Sequence, residues 1–469
     1  MSTRTLVAGV DSSTQLTKVV VCDAESGEVV RTAKAPHPDG TEVHPDRWWE
    51  AYQAATTDDV LDGVSAIAVG GQQHGMVALD EADAVVRDAL LWNDTRSAGD
   101  AADLTAELGG PGAWVDAVGS VLVGSFTVTK LRWLAAHEPE NAARVVRVVL
   151  PHDWMTGRIL QHGGGFERWT TDRGDASGTG YWSAATGDYR PDLLELAFGR
   201  GLEVPEVLVP AVPAGRTSDG MLVAAGTGDN MGAALGLALS PGDVVVSLGT
   251  SGTVFTPHDH AIRDESGTIA GFADATGQHL PLMCTLNAAR VLTAAASMLG
   301  IDLDMLDRLA LEADSGAGGL SLLPYLDGER TPDLPGATGT LSGLTRSNAT
   351  PANLARAAVE GMLCNLVAGV DALRDKGVHV GRVLIIGGAA ASRAVREVAP
   401  GLFRAPVVVP RPAEYVGVGA ARQAAWALSG SAAPPAWDLV IDSEYAVPNE
   451  DRSDVLDRYA ALLAQVHAR

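Results

Sequence analysis

Twice along this chain a continuous apolar strand runs into a turn of small residues and comes back as a second strand. The first copy is Leu6–Val10, the turn Asp11–Leu16 and the return Thr17–Cys22. The second is Asp243–Leu248, the turn Gly249-Thr250-Ser251 and the return Thr253–Thr256. Unbroken apolar strands, as opposed to alternating ones, point to strands buried on both faces. Sheets of that kind need helices over them, which places the chain in the α/β class.

The segments around each copy support this. After the first come a turn at Asp23–Gly27, a strand at Glu28–Ala33, a helix at Asp46–Ala55 behind Pro45, and a strand at Val64–Val69 that ends on Gly70-Gly71. After the second come a long helical pattern at Ala352–Leu373 and a strand at Arg382–Ile386 closing on Gly387-Gly388. Gly328–Asn348, rich in Pro, Gly and Thr, reads as an ordered loop. A chain of 469 residues is too long for one ordinary core. The β-β-β-α-β order resembles the ribonuclease H-like unit of the actin and sugar-kinase superfamily. The expected architecture is therefore α/β, with two ribonuclease H-like domains and a cleft between them. The expected domains are 1–240 and 241–469, divided where a helical run meets Ser240-Pro241-Gly242.

Chemistry concentrates at Asp229, within Ala225-Gly226-Thr227-Gly228-Asp229-Asn230-Met231-Gly232. A carboxylate among small residues lets a ligand approach the backbone closely and can take a proton from an incoming hydroxyl. The small-residue turn Gly249–Ser251 follows a strand, where phosphate-cradling loops tend to sit. Asp11, at the end of the first strand, is a third element. Each motif alone is an ordinary turn; a base together with a phosphate loop suggests phosphoryl transfer to an alcohol. The net charge of −24 argues against nucleic acid and anionic membrane surfaces as partners. It also means that an anionic nucleotide needs a metal ion and local N–H groups to offset the field. No apolar run is long enough to span a bilayer and no signal region precedes the first strand, so a cytoplasmic protein is expected. Cys22, Cys284 and Cys364 show neither metal-ligand nor disulfide spacing.

In order along nearly the whole length, the chain resembles the FGGY carbohydrate kinases. The motifs are Gly9-Val10-Asp11-Ser12-Ser13-Thr14, Gly71-Gln72-Gln73-His74-Gly75, Leu91-Trp92-Asn93-Asp94-Thr95-Arg96, Gly228-Asp229-Asn230, Ser247–Gly252, Leu323–Pro332 and Ile385-Ile386-Gly387-Gly388-Ala389. The resemblance implies ATP-dependent phosphorylation of a ketopentose, D-xylulose before other pentuloses or pentitols, with Mg²⁺. It implies Asp229 as general base and Asp11 near Mg²⁺ and the transferring phosphoryl group. Gln73, His74, Trp92, Asn93, Asp94 and Asn230 would meet the sugar. Thr14, Gly249, Thr250, Ser251, Gly387, Gly388, Ala389 and Ser392 would meet ATP. A homodimer is the expected assembly, although no motif fixes it. A non-catalytic, actin-like nucleotide-binding protein is the competing class, and such a protein has no need of Asp229.

The chain departs from the family pattern at three places. Ser13 stands where glycine is usual, so a left-handed backbone there would be strained. Gln73 stands for a common Met and adds a hydrogen-bonding group beside His74. Ala389 stands for a common third glycine. Glu329-Arg330 reads as an ion pair holding a loop, Trp48-Trp49 as helix packing, and His258 with His260 as a solvated loop.

Overall fold

The computed structural model describes residues 4–467. The chain gathers into two compact units. The first comprises Met1–Leu239, His258–Leu280 and Ala413–Leu439, and the second Ser240–Pro257, Pro281–Pro412 and Val440–Arg469. The chain first leaves the first unit between Leu239 and Ser240, one residue before the expected division, and two later segments return to it. In chain order the elements that matter are β1 (Leu6–Ser12), β2 (Leu16–Asp23), β3 (Val29–Pro36), α1 (Asp46–Ala55), β4 (Val64–Gly71), α2 (Pro151–His162), β5 (Pro213–Arg216), β6 (Leu222–Ala224), β7 (Thr227–Gly228), α3 (Asp229–Gly236), β8 (Asp243–Leu248), β9 (Gly252–Phe255), β10 (His279–Thr285), α4 (Ala289–Leu299), α5 (Pro351–Asp375), β11 (Arg382–Ile386), α6 (Arg393–Phe403), β12 (Val407–Pro410), α7 (Tyr415–Ser429) and β13 (Ile441–Tyr445).

The first unit is built on a sheet ordered β5-β6-β4-β1-β2-β3, with β7 also paired to β4. β1 runs antiparallel to β2 and parallel to β4. Burial on both faces holds for β1, where Val7 to Ser12 are all buried, but not for β3. β3 is an edge strand with Val29 and Val30 exposed. Its Arg31 and Lys34 are the charges that keep such an edge from pairing with another chain. One face of the sheet packs on α1 and α2, where the Trp48 and Trp154 rings meet edge-on at 6.1 Å. The other face is covered by the alanines of α7: Ala420, Ala421, Ala424 and Ala425 lie on Val7, Val20, Ala66 and Ala68. This contact is close because it is made by glycines. A Cβ on Gly9 would fall 1.8 Å from the Gly417 carbonyl oxygen, and one on Gly419 would fall 1.8 Å from that of Gly232 in α3.

The strands of the second unit follow the order β10-β9-β8-β11-β12-β13 within a seven-stranded sheet. β8 pairs parallel with β11 and forms a hairpin with β9 that closes at Leu248 opposite Gly252. α5 spans 25 residues, two longer at its C-terminal end and one at its N-terminal end than the pattern suggested. Pro351 opens it, and Thr350 Oγ1 caps it by accepting the Asn353 N–H. The Gly328–Asn348 stretch contains a short strand, Thr340–Ser342, that its composition hides. Among the described residues no helix is long and apolar enough to cross a membrane.

Candidate active site

Three strands of the first unit end side by side. In the parallel registers Asp11 of β1 and Thr227 of β7 both lie opposite Gly70 of β4. Ligands in open α/β sheets bind beyond the carboxyl ends of strands. Here those ends carry Asp11, the Gln72-Gln73-His74 loop and Asp229.

Asp229 opens α3. Its Oδ1 accepts the Asn230 backbone N–H at 2.8 Å and the Asn230 side-chain amide at 2.9 Å. Burial, and then the negative charge of Asp11, push its pKa up to about 7 in spite of those donors. The same Asn230 amide donates to Gln73 Oε1 at 3.0 Å, which ties base and sugar loop together. Gly228 makes this approach possible, since a Cβ there would lie 2.8 Å from Gln73 Cγ. Gln73 Nε2 is buried with no hydrogen-bond partner.

Asp11 is 3% exposed. Its Oδ2 lies 3.4 Å from Lys18 Nζ, which also pairs with Glu414 at 2.6 Å. Burial raises the Asp11 pKa to about 6, with Lys18 pulling against it. Asp11 Oδ1 has no hydrogen-bond partner. A buried carboxylate oxygen left in that state suits a hard cation such as Mg²⁺. The turn that follows is not left-handed at Ser13. The Ser13 N–H and hydroxyl both donate to Leu16 O, at 3.1 and 2.9 Å, so serine fits without the strain a glycine would avoid.

The left-handed residue is His74 instead, with φ 68°. Its ring packs against Phe126 and Phe272, and Nδ1 donates to Gly178 O at 2.6 Å. Trp92 Nε1 donates to Thr14 Oγ1 at 2.8 Å, so Thr14 holds the tryptophan. Both oxygens of Asp94 are engaged within the protein: Oδ2 accepts from Thr41 at 2.8 Å, and Oδ1 accepts from the Arg96 backbone and guanidinium. Burial alone would raise the Asp94 pKa, but these donors hold it below the usual value. Asn93 Oδ1 is buried without a partner.

In the second unit, the Gly249-Thr250-Ser251 turn is fixed by its carbonyls. Gly249 O and Thr250 O accept from the N–H groups of Ala289 and Ala288, at the start of α4. Gly387 has φ 90°, and its Cβ would fall 2.7 Å from the Leu248 carbonyl, so the two glycine turns lie against each other. Gly388 and Ala389 follow in a helical turn to Ala391. Ser392 caps α6 by accepting the Val395 N–H at 3.1 Å and donates its own hydroxyl to Asp307, work inside the protein. Glu329 holds a loop, as expected, but through other donors than expected. It accepts from the Leu286 and Arg330 backbone N–H groups and from the Asn287 and Asn365 amides, and Arg330 contributes its backbone N–H, not an ion pair. His258, Asp259 and His260 cluster on the surface.

Sequence reasoning missed Lys18, although a lone lysine inside the apolar run Leu16–Asp23 was a signal. It also missed Gln423 of α7, whose amide grips Gly226 from both sides, accepting its N–H at 2.9 Å and donating to its carbonyl at 2.8 Å. No local pattern announces a partner 197 residues away. The third omission is a buried cluster of His152, Asp153, Asp172 and Asp175, all at most 4% exposed.

The profile of the FGGY family of carbohydrate kinases, N-terminal domain, matches residues 6–236, and that of its C-terminal domain matches residues 244–428. The chain is 45% identical over 440 residues to the xylulose kinase of Streptomyces coelicolor, covering 91% of this chain and 88% of that one. It is 43% identical to the xylulose kinase of Streptomyces rubiginosus, over 98% and 96% of the two chains. The crystal structure of xylulose kinase from Bifidobacterium adolescentis superposes with a TM-score of 0.90 at 44% identity, covering 98% of this chain and 99% of that one.

Proposed function

The chain belongs to the FGGY family of carbohydrate kinases, and on that premise we propose that it transfers the γ-phosphoryl group of ATP to D-xylulose, giving D-xylulose 5-phosphate and ADP. The observation that carries the reading is Asp229, a carboxylate with its pKa raised to about 7 and tied through Asn230 to the sugar loop. A base tuned near neutral pH is matched to removing a proton from an alcohol as phosphorus–oxygen bond formation begins.

Phosphoryl transfer asks the protein mainly for positioning and charge stabilisation. Asp229 accepts the proton of the attacking hydroxyl. The unpartnered Gln73 Nε2 and Asn93 Oδ1 offer a donor and an acceptor to sugar hydroxyls, and leaving such buried atoms unpaired is what penalises a wrong sugar. His74, held by Gly178 and two phenylalanines, shapes that pocket. Asp11 Oδ1 would hold Mg²⁺, which neutralises charge on the phosphates when bound. Lys18 keeps Asp11 ionised. The Gly249–Ser251 turn supplies backbone N–H groups for ATP phosphates, and the Gly387–Ala389 turn a surface without side-chain bulk for the nucleoside.

A coupled ADP-release assay over a panel of pentuloses and polyols tests this. D-xylulose should give the highest kcat/KM. Faster turnover of D-ribulose or a pentitol would reassign the substrate, and no sugar-stimulated ADP release would remove the kinase reading.

A further inference from the structure

The buried acidic cluster is costly, and its neighbours say what it does. His152 and Asp153 begin α2 and are essentially without solvent contact. His152 Nδ1 donates to Asp175 Oδ2 at 2.6 Å. Its Nε2 lies 3.2 Å from Asp153 Oδ1, without hydrogen-bond alignment, and 3.9 Å from Asp172 Oδ1. Asp172 accepts the N–H groups of Gly174 and Asp175, both at 2.9 Å. One histidine thus sits among three carboxylates in the interior of the first unit. Burying ionisable groups costs several kcal/mol per ion, and an apolar side chain would fill the same space at less cost.

Each edge of this cluster touches a loop of the active site. A Cβ on Gly71, where β4 gives way to the Gln73–His74 loop, would lie 2.8 Å from His152 Cβ. A Cβ on Gly226, which precedes β7 and has φ 82°, would lie 2.5 Å from His152 Cδ2. Asp172 Oδ2 accepts the hydroxyl of Thr227, two residues before the base, at 2.9 Å. The helical turn Arg173–Ala176 that carries Asp175 leads to Gly178, whose carbonyl accepts from His74. His152 therefore packs its backbone and Cβ against the glycine at the root of the sugar loop, and its imidazole against the glycine at the root of the base loop. The carboxylates around it grip the base loop by Thr227 and, through Gly178, the sugar loop by His74.

We propose that His152 is a positioning residue for the transfer: with its backbone and Cβ against Gly71 and its ring, clamped by Asp175, against Gly226, it sets the separation of the sugar loop and the base loop, and so places the sugar hydroxyl against Asp229. The inference rests on the reading of Asp229 as the base. Electrostatics agree with a clamped ring. Burial alone would lower the His152 pKa, but Asp153, Asp175 and Asp172 overcome this and hold it above the ordinary histidine value. The ring cannot swing away from Asp175 without leaving that carboxylate unpaired in the interior.

The test compares His152→Asn, whose amide keeps a donor where Nδ1 stands, with His152→Ala, which keeps none. The measurements are kcat and KM for D-xylulose, KM for ATP, and sugar-independent ATP hydrolysis. In the alanine variant kcat/KM for the sugar should fall about 100-fold, the loss expected when reacting groups are misplaced by about 1 Å. The asparagine variant should recover at least about tenfold of that, as expected for one retained hydrogen bond to a charged group. KM for ATP and sugar-independent hydrolysis should stay within about twofold in both, since the nucleotide turns are built elsewhere. Unchanged sugar kinetics, a matching rise in KM for ATP, or no rescue by asparagine would each overturn the proposal. If neither His152 variant folds, Thr227→Val decides. It cuts the hydroxyl link from Asp172 to the base loop, and sugar kinetics equal to wild type would then overturn the proposal. The wild type and Asp229→Asn are assayed alongside. A wild type inactive on every sugar, or an active Asp229→Asn, refutes the reading of the base and this inference with it. An inactive Asp229→Asn with unaffected His152 variants refutes this inference alone.

Discussion

In the first unit, strands β1, β4 and β7 run out into side chains that titrate or hydrogen-bond. In the second, β8 and β11 run out into glycine and bare backbone. The first set includes two carboxylates with raised pKa values and an asparagine shared between base and sugar loop. The second has Gly387 pressed on the Leu248 backbone and a turn held by its own carbonyls. On the proposed assignment, one kind of strand end, used twice, meets two chemical demands. Moving a proton needs a side chain whose pKa burial and neighbours can tune. Cradling phosphate needs N–H groups that side chains would keep at a distance. The lesson is that damage to one kind of end should fall on one substrate only.

The sharpest test is Asp229→Asn. Sugar-dependent turnover should fall by about 10²–10⁴-fold, the usual worth of a general base, while ATP binding measured by calorimetry stays at the wild-type value. Turnover within a few-fold of wild type would take the base out of the first set. The reciprocal change is Gly387→Ala, which puts a Cβ into the Leu248 backbone at a left-handed φ. Strain of about 1–3 kcal/mol at this site should raise KM for ATP roughly tenfold and leave KM for the sugar alone. A rise in both constants would break the division.

The pH dependence sharpens the comparison further. With a base of pKa about 7, kcat/KM for the sugar should rise with pH through a midpoint near that value. A midpoint at the ordinary carboxylate pKa of about 4 would mean that Asp229 is not tuned. The smallest effect expected is on stability. Asp11 and Asp175, at about 6, and Asp153 and Asp229, at about 7, lie above the ordinary carboxylate value, and His152, at about 9, above the ordinary histidine value. Each folded-state pKa is raised, so each contribution is full below the unfolded pKa and is lost as pH rises through the folded one. The melting temperature of the ligand-free protein should therefore decline from pH 5.5 to pH 9. A melting temperature that climbs over this range would contradict the buried charges.

The parts legible in the sequence were those written in local pattern. The unbroken apolar runs gave β1, β2 and β8, the 3.6-residue period gave α5, and Gly70-Gly71 and Gly387-Gly388 marked strand ends. The sequence shows β3 as a strand but not as an edge, and it is the edge position that leaves the apolar Val29 and Val30 exposed. Of the proposed site, Asp229 and Asp11 could be singled out by residue type and local pattern alone. The site was not legible where a role is conferred from far away. Gln423 reaches Gly226 across 197 residues, and Asp172 and Asp175 take their meaning from a histidine on another helix. Motif membership also does not reveal that Asp94 bonds Thr41 and Arg96, or that Ser392 bonds Asp307.

The return of Ala413–Leu439 to the first unit has a consequence for how the protein is made. A ribosome delivers the chain from its N-terminus, so β1, β2 and β4 emerge long before α7. Through that interval Val7, Val20, Ala66 and Ala68 form an apolar surface on an unfinished protein, while β8 to β12 are delivered ahead of the helix that covers it. The first unit starts first and cannot finish until residues 413–439 have emerged, so this apolar face stays uncovered by α7 through that interval. Ribosome-bound chains stalled so that residue 412 or residue 440 has just cleared the exit tunnel should differ in protease resistance over residues 6–71, with the longer chain protected. Equal resistance in the two would mean that this sheet closes without α7.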